Sequence, residues 1–87
     1  MESAMLRAIY DPIQVLARTD HGRIVPVLVT WKGKSYTVAK VEERSTRTIK
    51  GQIFEAIPVY VVTLKKMLLE FDHSKKSWRL LGVEESS

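Results

Sequence analysis

No twelve-residue window in this chain repeats apolar side chains at i, i+3, i+4 and i+7 with polar residues between them, so helical signals are weak, and residues 1–10 offer one turn of helix or a short strand. Val, Ile, Thr, Tyr and Trp dominate instead, and turn residues cut them at short intervals. Side chains of these types suit a pleated, half-buried surface. The pattern predicts six strands, over residues 13–19, 24–31, 35–43, 53–64, 67–72 and 77–81. Asp20-His21-Gly22-Arg23 and Lys32-Gly33-Lys34 supply tight turns, with Gly22 and Gly33 free to take positive φ. His73-Ser74-Lys75-Lys76 supplies another.

Particular residues refine the reading. Pro26 cannot donate to a ladder and belongs at an edge, a strand start or a bulge. Tyr36 and Val38 share one face while Val41 is out of phase, and a bulge near Ala39-Lys40 restores the alternation. Residues 44–52, the longest polar stretch, are expected to be a loop. The strand over 53–64 is apolar on both faces, with Ile57, Val59 and Val61 on one and Phe54, Tyr60, Val62 and Leu64 on the other. Such strands are normally covered on both sides, and Pro58 is expected to bend this one.

Short turns between strands imply antiparallel pairing. The fold class is therefore all-β, a small antiparallel barrel or strongly curved sheet of five to six strands, of SH3-like or OB-like size, with little or no helix. Residues 1–12 read as a lead-in, 13–82 as one domain and 83–87 as a flexible tail. A chain of 87 residues buries only about 60% of its unfolded surface. It has no cysteine for a disulfide or a thiolate zinc site. A homodimer is expected, with Ile57, Val59 and Val61 as the interface, and it would cover the second apolar face if the sheet stays open. The longest uncharged apolar stretch, residues 56–64, is far short of the roughly 20 residues of a membrane helix. No membrane association and a cytoplasmic location are expected.

Fourteen Lys and Arg against ten Asp and Glu give a net charge of +4. The excess is local. Arg23, Lys32, Lys34, Lys40, Arg44, Arg47 and Lys50 against Glu42 and Glu43 leave residues 23–50 at +5, while the flanking segments sum to −1 and zero. Trp31 and Tyr36 flank the Lys32-Gly33-Lys34 turn. A basic hairpin with neighbouring aromatics can track a phosphate backbone and stack on a base. Lys32, Lys34, Arg44, Arg47 and Lys50 are thus the candidate nucleic-acid contacts, joined by Trp31 and Tyr36 if these are exposed. A solvated hairpin with packed aromatics explains the same residues without a ligand.

Catalytic signals are sparse. His21 and His73 each follow an aspartate in an expected turn. They offer a small hydrolase only if one sits in a pocket beside a second polar group. Glu70 and Asp72 alternate with Leu69 and Phe71 as an ordinary polar face. No phosphate loop, catalytic residue, metal site or cofactor is expected, and the chain reads as a binding or accessory module rather than an enzyme. The alternative is a protein-interaction or homo-oligomerisation module using the apolar faces of residues 53–64.

The segment from Val25 through Pro26, Trp31, Gly33, Tyr36 and Val38, with Trp78 in a late strand, resembles a group of short bacterial all-β domains of unknown function. Their mark is a proline, then an apolar-x-Trp-x-Gly-x-x-Tyr-x-Val hairpin, then a strand containing Trp. Some domains of that group occur beside error-prone DNA polymerase modules. The resemblance, over residues 24–81, implies a bacterial domain engaged in nucleic-acid work and assigns no catalytic residue.

Overall fold

The computed structural model describes residues 5–62 and 66–85. All regular structure among them is strand: β1 (Met5–Asp20), β2 (Arg23–Trp31), β3 (Lys34–Val41), β4 (Ser45–Ile49), β5 (Gln52–Val61), β6 (Lys66–Asp72) and β7 (Ser77–Glu85). Every ladder is antiparallel, in the order β3-β2-β1-β7-β6-β5-β4, and β3 also pairs with β5. That last pairing closes β1, β2, β3, β5, β6 and β7 into a six-stranded barrel and leaves β4 as one extra strand. No helix among the described residues could cross a membrane.

Three hairpins share one turn chemistry. Asp20 pairs with Arg23, Trp31 with Lys34, and Ile49 with Gln52, leaving two-residue loops. Both loop residues have positive φ in each: His21-Gly22, Lys32-Gly33 and Lys50-Gly51. This is the type I′ geometry whose twist matches that of the flanking strands. The third of these turns lies within residues 44–52, expected as a loop. Here the chain forms β4 and its hairpin with β5.

Other boundaries also move. Residues 5–12, read as lead-in, are the first half of β1, held against β7. Val83 is fully buried, so the expected tail up to Glu85 is the end of β7; residues 86 and 87 lie outside the described residues, as do 63 and 64 of the strand expected over 53–64. The bulge expected at Ala39-Lys40 is present, between Val38 and Lys40. Pro58 sits where one edge of β5 passes from β4 to β3. Its carbonyl accepts from the Glu42 amide at 2.8 Å. A residue's N and C=O point the same way in a strand, so the missing N–H faces the gap at residues 42–44 and costs the β6 ladder nothing.

The core is the barrel interior. Val29, Trp31, Ile57, Val59, Val61, Met67, Leu69, Leu80 and Val83 fill it, with Ile9, Ile13, Val15, Tyr36, Val38, Val41 and Trp78 packed against them. Ile57, Val59 and Val61, expected as an interface, point into this core and are fully buried in one chain. The physical reason is closure: a sheet that curls on itself covers its own apolar face and removes the need for a partner to do so. The sixteen residues of β1 would measure about 50 Å if straight, more than the 40 Å long axis of the molecule. β1 therefore coils around the barrel, pairing first with β7 and then with β2.

Candidate nucleic-acid interface

Three of the expected contacts are tied up in the fold. Trp31 is 8% exposed, and its indole N–H donates to Asp11 Oδ2 at 2.9 Å. The condition for its role as a stacking platform, exposure, is not met. Only the neighbouring Lys32 ammonium, 5.1 Å from the ring centroid, reaches it from the turn. Tyr36 is half-buried and packs on the core. The Arg44 side chain is 10% exposed, and its Nη1 donates to the Ile24 carbonyl at 2.8 Å and to Glu55 Oε1 at 2.9 Å. It bridges the chain between β3 and β4 to β2 and β5.

Glu55 continues the inward row of Ile57, Val59 and Val61, so its carboxylate needs partners. Arg44 supplies one and His73 the other, with Nε2 2.7 Å from Glu55 Oε2. Burial pushes the Glu55 carboxyl up, but the hydrogen bonds from Arg44 and His73 and their charges outweigh it and hold the group below its ordinary value. His73 also meets Phe71 edge-on at 4.9 Å. It is therefore a tie between the β6–β7 turn and β5. His21, by contrast, stands exposed in its turn, its Nδ1 2.9 Å from Asp20 Oδ1.

The exposed cations do not form one patch around the second hairpin. β3 and β4 both run antiparallel to β5. The β2–β3 turn with Lys32 and Lys34 precedes them and the β4–β5 turn with Lys50 follows them, so these turns point in opposite directions. The +5 excess of residues 23–50 is thereby divided between two regions.

Around the β4–β5 turn other residues join. Cross-strand pairing aligns Ser45, Ala56, Glu70, Arg79 and Pro12 in one outward row across β4, β5, β6, β7 and β1. The next row holds Arg47, Phe54, Asp72 and Ser77. Glu70 is only 5% exposed because two arginines fold over it. Arg79 donates to Glu70 Oε1 from Nη2 at 2.8 Å and from Nε at 3.2 Å, and Arg47 Nη2 lies 3.4 Å from Oε2. Both arginines remain about half exposed. One carboxylate thus fixes two guanidiniums side by side.

Two shallow depressions flank this cluster and share Arg79. One is lined by Gln52, Phe54, Lys75, Ser77 and Arg79 among others, so the β4–β5 and β6–β7 turns lie on its rim. Asp72 shapes that rim by accepting the Ser74 and Lys75 amides at 2.9 and 3.2 Å. The other is lined by Tyr10, Ser45, Arg47, Leu68, Arg79 and Leu81 among others. Trp78 turns inward, its ring 4.8 Å from that of Phe71.

Arg47 and Lys50 of the expected contacts lie on this face. Lys32 and Lys34 are exposed elsewhere. Lys75 and Arg79, part of a second basic-aromatic cluster over residues 75–79 in the sequence, join Arg47 and Lys50 on their face with Glu70 and Tyr10, a grouping that depends on the β6–β7 register and on β1 reaching β7. No family model matches the chain, and comparison with curated proteins and with solved structures gives no match.

Proposed function

We propose that this barrel is a non-catalytic binding module for single-stranded nucleic acid, and that its ligand lies on the outer face of β4–β7 rather than on the β2–β3 hairpin. The observation that carries the reading is the placement of Arg47 and Arg79. Both are half-exposed, both are held by one buried carboxylate, and Lys50, Lys75 and Lys76 stand in the two neighbouring turns. Preset guanidiniums lose little side-chain freedom on meeting a phosphate. The half-buried Phe54 between the turns adds apolar surface beside them.

The test is fluorescence anisotropy with a labelled oligothymidylate. Affinity should fall with salt at a log–log slope of about −0.7 per phosphate contacted. Arg47→Ala and Arg79→Ala should each weaken binding and flatten that slope by about 0.7. Lys32→Ala and Lys34→Ala should leave it unchanged. No binding at tens of micromolar in low salt, or binding indifferent to salt, would rule the reading out.

A further inference from the structure

Tyr10 has φ of 60°, in the left-handed region that non-glycine residues avoid. The other four such residues, His21, Lys32, Lys50 and Lys76, sit in the turns between strands, where the hairpin geometry calls for that conformation. Tyr10 sits within β1. There the register against β7 slips between Ala8 and Asp11, so that Ile9 and Tyr10 together face Leu81. A bulge of this kind re-aims a side chain. Glycine would make the same bend without strain. The β1–β7 ladder on both sides of the bulge holds the backbone in place, so a tyrosine rather than a glycine at this position points to a use for its ring.

Packing uses little of that side chain. Tyr10 is 61% exposed, and the Arg79 guanidinium lies 5.6 Å from the centroid of its ring. The depression that Tyr10 lines is also lined by Leu68, Leu81 and Ala56 and by Arg47 and Arg79. An exposed aromatic residue, apolar side chains and two cations lining one depression suit a flat ring that carries an anion.

We propose that Tyr10 is the stacking platform of a nucleotide subsite, with a base against its ring and the attached phosphate at Arg47 and Arg79. This rests on the nucleic-acid reading above and adds that a base, not only the backbone, is held. Strained backbone of this kind is a recurring feature of ligand clamps.

The experiment compares two ligands, labelled oligothymidylate read by anisotropy and inorganic polyphosphate read as its competitor. Stacking on one base contributes enough that Tyr10→Leu should weaken oligothymidylate binding about ten- to a hundredfold. Polyphosphate has no base, so its affinity should stay within about twofold. Tyr10→Phe keeps the ring and should bind both ligands as the parent does. Tyr10→Gly should lose the oligonucleotide while melting no lower than the parent, since glycine relieves the backbone. Oligothymidylate affinity unchanged in Tyr10→Leu would overturn the subsite and leave the broader reading standing. Equal loss of both ligands would also overturn it, by showing that the ring acts only on Arg79. A parent protein that binds neither ligand would remove both proposals.

Discussion

Arg44, Glu55 and His73 show how much of this fold rests on single polar contacts. Removing one partner from a largely buried ion pair costs about 3 kcal/mol or more. Arg44→Ala should sit near that value because Glu55 keeps His73, and urea unfolding would measure it. The pH dependence follows from Glu55. Its folded-state value lies below the unfolded 4.5, so its stabilisation is present above about 4.5 and is lost as pH falls through the lower folded value. Urea midpoints of the parent should therefore fall below pH 4.5, and Glu55→Gln should flatten that limb. A parallel drop in both proteins would place the acid sensitivity elsewhere. None of this was legible beforehand. Glu55 looks like one carboxylate among ten acids, and its partners are 11 and 18 residues away.

At the scale of elements, turns were the readable feature. His21-Gly22 and Lys32-Gly33 follow from glycine between β-rich runs, and both hairpins form where that chemistry places them. β4 was not readable because all five of its residues are exposed. A strand with no buried face shows no alternation, and only its ladder to β5 defines it. The first half of β1 was obscured for a related reason. Asp11 occupies the inward row between Ile9 and Ile13, where it serves Trp31, and Pro12 follows as an apparent break. The turns also yield a stability expectation. Asn tolerates positive φ better than His, and Asn-Gly is the preferred type I′ pair. His21→Asn should raise stability by about 0.5 kcal/mol, seen as a melting shift of about 3 °C. A fall instead would mean that the exposed Asp20–His21 contact contributes more than its geometry suggests.

For the whole molecule, the all-β class and barrel size were legible, whereas closure was not. Closure depends on β3 meeting β5 beyond an intervening hairpin, a pairing that composition does not encode. That one pairing turns Ile57, Val59 and Val61 from candidate interface into core. It also separates cations adjacent in sequence and gathers others that are distant. Arg47, Lys50, Lys75 and Arg79 come from two strands and two turns to one face, while Lys32 and Lys34 are left on another. The position of the ligand face is thus a consequence of topology, and it can be mapped directly. A ¹⁵N NMR titration with oligothymidylate should shift the amides of Tyr10, Ser45, Arg47, Phe54, Lys75 and Arg79, and leave those of Lys32 to Tyr36 in place. Shifts confined to the β2–β3 hairpin, or none at saturating ligand, would contradict the assignment of this face.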